Sequence, residues 1–173
     1  MYIKMMGGLV LIGLTSAIGF IKAGELNERV KKLQSFKCMI IFLEGELRFH
    51  RAVLSEAFEN VGEKLEHPFS GFLKTMAEEM EGRASDGFED VWEKNSGILL
   101  CEEGFRKEDK ILLEILKSGL GYLDLTMQTE TLNVAVIRTE EAIAESQEQS
   151  KTKGKLYQTM GVTIGALLTL LII

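Results

Sequence analysis

Leu26, Val30, Leu33, Phe36, Ile40, Leu43 and Leu47 recur in steps of three and four, so they share one face of a helix that ends near His50. Leu54, Ala57, Phe58, Val61 and Leu65 form a second such stripe, and Phe69, Phe72, Leu73, Met76 and Met80 a third. Pro68 is the only proline in the chain. It suits the first turn of that third helix, where its missing N–H costs nothing, and Gly82 suits a position just past the end. Ser85 is the expected cap of a short fourth helix carrying Phe88, Val91 and Trp92, which Asn95-Ser96-Gly97 would close. A fifth helix, about Lys107 to Ser118, would turn Ile111, Leu112, Ile115 and Leu116 to one side, and Gly119-Leu120-Gly121 reads as its stop. Asp124 then caps a helix running from Leu125 to Ile173. Its seam of Leu132, Val136, Thr139 and Ile143 is narrow, as suits packing on one neighbour. The alternating β-branched runs that mark strands are missing.

Both ends of this pattern lose their polar face. From Met1 to Ile21 the only charge is Lys4, and from Leu156 to Ile173 there is none. At 1.5 Å per residue the second run reaches about 27 Å, near the roughly 30 Å hydrocarbon core of a bilayer. We therefore expect a transmembrane helix over 1–21, a helical bundle domain over 22–155 and a second transmembrane helix over 156–173. A cleaved signal peptide is the other reading of the first run, but no small-x-small cleavage site follows Phe20-Ile21-Lys22. Lys22, Arg29, Lys31, Lys32 and Lys37 follow the first span, and Lys151, Lys153 and Lys155 precede the second. Basic flanks are retained in the cytoplasm, so the central domain should be cytoplasmic and both tips outside. The first and last helices must then return to the bilayer together. The expected fold is all-α, an antiparallel helical bundle of two long and three shorter helices with a transmembrane helix at each end.

Composition sharpens this picture in one respect. Every one of the 26 acidic residues and all but Lys4 of the 20 basic ones lie within 22–155, which gives that segment a net charge of −7. Nucleic acid, which needs a clustered positive surface, is an unsuitable partner, whereas the basic flanks can touch anionic lipid. Cys38 and Cys101 have neither metal-pair nor disulfide-framework spacing and are expected to be buried thiols. His50 and His67, the two histidines, fit no metal-ligand spacing and read as surface or turn residues. No phosphate-cradling glycine loop and no nucleophile elbow occurs. The acidic pairs Glu44 with Glu46, Glu78 with Glu79 and Glu102 with Glu103 are too close in sequence to face each other on a helix. We expect no catalytic residues, metal or cofactor, hence no enzyme. The aromatics Phe58, Phe69, Phe72 and Trp92 lie on stripes and read as packing.

The apolar ends carry small residues four apart, Gly13 with Ala17 and Gly161 with Gly165. Such spacing cuts a groove that lets another helix backbone approach closely in lipid, although glycine is common in spans anyway.

Leu43-Glu44-Gly45-Glu46-Leu47, Gly119-Leu120-Gly121-Tyr122-Leu123-Asp124 followed by Gln128, and Lys155-Leu156-Tyr157-Gln158-Thr159-Met160-Gly161 before the last apolar run, together with the two-span layout, resemble the stage III sporulation protein AB family. The chain departs from it at Arg51-Ala52-Val53-Leu54, where the family usually turns with a proline-containing segment. The resemblance implies a component of the complex that bridges mother cell and forespore, on the mother-cell side of the outer forespore membrane. It also implies a helical domain similar to the platform domain of type II secretion systems, with the stage III sporulation protein AA ATPase and other membrane subunits as partners. Glu44 and Glu46, which match the family pattern, are then the expected partner-facing acidic patch. The functional expectation is a membrane scaffold. A holin-like pore formed by the two spans is the alternative, but neither span has an interior ionisable residue to line a water path.

Overall fold

The computed structural model describes residues 2–82, 87–101, 105–121 and 124–172. It is all-helical, with no strand among the described residues. Helix α1 spans Tyr2–Gly45 and passes into a π-helical turn, Glu46–His50. Then come α2 (Leu54–Lys64), α3 (Phe69–Gly82), α4 (Phe88–Leu100), a 3₁₀ turn (Lys107–Asp109), α5 (Lys110–Leu120) and α6 (Leu125–Ile172). Ser85, Glu102 and Glu103 lie outside the described residues. The chain forms two compact units, one of Met1–Val30 with Ala144–Ile173 and one of Lys31–Ile143.

The Lys31–Ile143 unit is a helical bundle with one core. Leu33, Phe36, Ile40, Leu43 and Leu47 of the first stripe are buried, as are Ala57, Phe58 and Val61 of the second and Phe69, Phe72, Leu73 and Met76 of the third. The expected packing role of the aromatics holds: Phe36, Phe69 and Phe105 form a triangle with ring centroids 5.9–6.0 Å apart, and Trp92 stands edge-on to Phe72 at 5.4 Å. Asp124 caps α6 as expected, accepting from the Met127 N–H at 3.1 Å. Along α6, Leu132, Thr139 and Ile143 of the expected seam are buried, Val136 is half-buried against the core, and Ala135 rather than Val136 is the fully buried residue between Leu132 and Thr139.

Several expectations are corrected here. Pro68 sits just before α3, and its carbonyl accepts from the Phe72 N–H at 3.0 Å; Gly82 is the last residue of α3. Helix α4 runs through Asn95-Ser96-Gly97 to Leu100 because the buried Asn95 amide is satisfied within the helix, by the Val91 carbonyl at 2.9 Å, and by Glu79 of α3 at 3.3 Å. It has no need to break the helix. On α5 the inward face is Leu112, Leu113, Leu116 and Leu120, while Ile111 is 62% exposed; a run of consecutive apolar residues does not define its own face. Gly119 continues that helix and lies where any side chain would collide with Thr131 of α6. Its smallness serves close approach, and the Gln128 side-chain amide of α6 donates to the Leu120 carbonyl at the α5 terminus, 3.2 Å away. Cys38 and Cys101 are both exposed. Cys38 lies two positions from both Phe36 and Ile40, which at about 100° per residue puts it on the face of α1 opposite the buried stripe.

In the other unit the ends of α1 and α6 pack antiparallel. Gly8 lies against Thr169, Ile12 and Thr15 against Gly165, Gly19 against Tyr157, and Ala23 against Gly154, so positions fall along α6 as they rise along α1. Thr169 Oγ1 donates across the pair to the Gly8 carbonyl at 3.1 Å. Near the other end Arg29 Nε donates to Ser146 Oγ at 2.9 Å, both residues being buried. Among the described residues the stretch Met6–His50 is long and apolar enough to cross a membrane, with a mean hydropathy of 1.7 at its most apolar.

Candidate functional site

Where α1 ends, the sequence gathers the acidic pair singled out for docking. Glu44 is half-buried at the end of α1, 3.4 Å from Arg48 one turn on. Glu46 departs from expectation. Its side chain is only 7% exposed and points into the turn, where Lys64 Nζ of α2 approaches to 2.6 Å, His50 Nδ1 to 3.2 Å and Asn60 Nδ2 to 3.4 Å. The pair therefore does not form an exposed acidic patch; Glu46 is the fastener that holds the α1 end to α2. A buried carboxylate needs such partners, because unpaired it would bear the whole cost of desolvation.

The Lys64 hydrogen bond, helped by the charges of Lys64 and His50, holds the Glu46 carboxyl below its ordinary range against the upward push of burial. A depressed folded value means that the ion cluster stabilises the fold above the unfolded carboxylate pKa, and that this contribution is lost as pH falls through the folded value. We expect Glu46→Gln to lower bundle stability by about 1 kcal/mol at neutral pH, since Lys64 is half solvated. The deficit should shrink in acid. Melting curves of both proteins from pH 7 to pH 3 check this, and a deficit that does not change with pH would show that charge has no part in it.

Beyond this fastener the chain reverses at Arg51, with φ 52° and ψ 32°. Such a left-handed conformation costs a residue with a Cβ about 1–2 kcal/mol and usually falls to glycine. The turn is thus made without the proline of the resembled family. It carries outward Arg48, Phe49, His50, Arg51 and Val53. The sequence alone indicates a turn here but not this surface; its mark was an aromatic residue among basic ones, Arg48-Phe49-His50-Arg51, outside any stripe.

The small residues of the apolar ends divide. Gly161 and Gly165 are buried against α1: a methyl group on Gly161 would sit 2.7 Å from the Thr15 carbonyl oxygen, and one on Gly165 would sit 2.9 Å from Ile12 Cα. Their partners on α1 are Ile12, Thr15, Ser16 and Gly19, not Gly13 and Ala17. Gly13 and Ala17 are exposed, and a methyl group on Gly13 would meet nothing within 4 Å. The α1 face that matters reads Gly8, Ile12, Thr15, Ser16, Gly19, a helical spacing visible in the sequence but hidden behind the single Gly13–Ala17 match.

A shallow hollow beside His67, Gly71, Asn95 and Ile98 holds about 160 Å³, less than the roughly 300 Å³ and upward of small-molecule sites. Among the described residues no three His, Cys, Asp or Glu side chains converge as a metal site requires.

Together these features define a class, an all-helical protein whose helical bundle accompanies a glycine-packed antiparallel pair of apolar helix ends. The chain belongs to the stage III sporulation protein AB family, whose model matches residues 4–173. It is similar to stage III sporulation protein AB of Bacillus subtilis (strain 168), 21% identical over 170 residues, which cover 98% of this chain and 99% of that one. A solved structure of stage III sporulation protein AB shares the fold with a TM-score of 0.64 and 19% identity, covering 71% of this chain and 96% of its own.

Proposed function

We propose that this sporulation-family chain is a two-span membrane scaffold that docks a cytoplasmic ATPase and other membrane subunits of a secretion-like channel between mother cell and forespore, performing no turnover itself. The observation that carries the reading is the antiparallel lock between the ends of α1 and α6. An apolar helix end without charges packs through glycines against the one stretch that, among the described residues, is long and apolar enough to span, and such close glycine packing is how helices associate in lipid. Two antiparallel spans return the chain to one side, and the basic flanks make that side the cytoplasm. The outward Gly13 and Ala17 face is then what the pair offers to other membrane subunits.

Vesicles carrying the full chain test sidedness and docking together. Purified ATPase of the stage III sporulation protein AA type, added from outside, should bind inside-out vesicles and leave right-side-out ones bare. Binding to neither kind, or hydrolysis of nucleotide by the chain alone, would remove the scaffold reading.

A further inference from the structure

We infer that the turn from Arg48 to Val53 is the docking surface of the bundle, and that what it receives is an acidic protein segment carrying an apolar side chain. The inference rests on the scaffold reading above and names the contact by which the ATPase is held. Phe49 is 77% exposed, the most exposed aromatic among the described residues, and Val53 is 71% exposed. The Arg48 guanidinium lies 5.6 Å from the Phe49 ring centroid, and Arg51 and His50 are exposed beside them. Two acids next to this surface are largely withdrawn from solvent: Glu46 is sealed against Lys64, and Glu44, with a side chain 18% exposed, is held by Arg48. A domain of net charge −7 thus presents, at this one turn, a cationic and apolar face. Its complement is acidic and apolar, the reverse of what the acidic pair alone suggests.

Aromatic and arginine side chains are the types that dominate the binding energy of protein interfaces. The surface is also held in shape before binding, because the Glu46 cluster fixes the turn from beneath and so reduces the ordering cost of association. Arg51 adds an independent argument. It occupies a left-handed position that glycine would fill with less strain, and strain of this kind collects at functional turns. A lipid surface is a poorer match, since it favours runs of several Lys or Arg and gains little from two guanidinium forks on a rigid turn.

The test uses the full chain in phosphatidylcholine nanodiscs, titrated with the purified ATPase at low salt. Arg48→Glu/Arg51→Glu should weaken binding at least tenfold and Phe49→Ser several-fold, while Lys74→Glu/Lys110→Glu, an equal charge change elsewhere on the bundle, should leave it within twofold. Arg51→Gly should melt higher than the wild type yet bind several-fold more weakly, a split that a merely structural residue does not give. A photo-cross-linking residue at position 49 should attach to an acidic stretch of the ATPase. If the wild type binds but the turn variants bind as tightly, or the cross-link falls on lipid or on a second copy of the chain, the inference is overturned and the scaffold reading stands. If the wild type does not bind the ATPase, both are lost.

Discussion

Replacing Gly161 by leucine should break the pairing of the apolar helix ends, and the same change at Gly13 should leave it intact. At Gly161 the first added carbon already meets the Thr15 carbonyl oxygen at 2.7 Å, and at Gly19 it meets the Tyr157 carbonyl oxygen at 2.5 Å. Both obstacles are backbone, which cannot swing aside as a side-chain tip can, so the helices must separate. Overpacking of a close contact costs about 1–3 kcal/mol. For the two spans proposed above, association in lipid would rest on such packing and little else, so a loss of that size should be enough to open the pair. A disulfide reports the outcome. The Ala23 Cβ lies 3.8 Å from the place a Cβ would take at position 154, which matches the mean Cβ spacing of about 3.8 Å in disulfides. With the exposed Cys38 and Cys101 replaced by serine, Ala23→Cys/Gly154→Cys should cross-link readily on oxidation. Gly19→Leu or Gly161→Leu added to that pair should cut the yield several-fold, and Gly13→Leu should not. Equal yields in all of them would mean that the glycines are incidental to the packing.

That contrast between Gly13 and Gly161 shows where the sequence was legible. Helix number and most buried faces follow from three- and four-residue periodicity, because a helix needs only one apolar face to find its place in a bundle. The stripes of α1, α2, α3 and α6 could be read directly for this reason. On α5 the consecutive apolar residues from Ile111 to Leu113 left the face open, and packing against neighbours decided it. Stop signals failed for another reason. Asn95-Ser96-Gly97 and Gly119 resemble helix ends, but tertiary partners, Glu79 for Asn95 and Thr131 for Gly119, put those residues to use inside helices. The exposure expected of the acidic pair failed at Glu46, because polarity is not exposure. Glu46 looks like a surface residue until Lys64, 18 residues on, arrives to neutralise it. Nothing local in Leu43-Glu44-Gly45-Glu46-Leu47 tells which of the two acids turns inward.

Phe36→Ala should produce the largest loss of stability in the bundle while leaving the apolar helix pair assembled. Phe36 is fully buried and joins α1 to two other segments at once, with ring centroids 5.9 Å from Phe69 of α3 and 6.0 Å from Phe105 before α5. Phe69 and Phe105 are themselves 6.0 Å apart, so the cavity left by truncation has rigid aromatic walls on two sides that cannot collapse into it. Phenylalanine truncations in such settings cost about 3–5 kcal/mol. Small domains have only about 5–15 kcal/mol in reserve, so the variant should melt far below the wild type and lose its aromatic near-ultraviolet signal at moderate temperature. Docking should then fail in proportion to the unfolded fraction, whereas Phe49→Ser should weaken docking with little change in melting, because Phe49 is 77% exposed. The disulfide between positions 23 and 154 should form in Phe36→Ala as in the wild type, since the contacts that set it belong to the unit of Met1–Val30 with Ala144–Ile173. A Phe36→Ala protein that melts within a few degrees of the wild type would show that the aromatic triangle does not hold the bundle together.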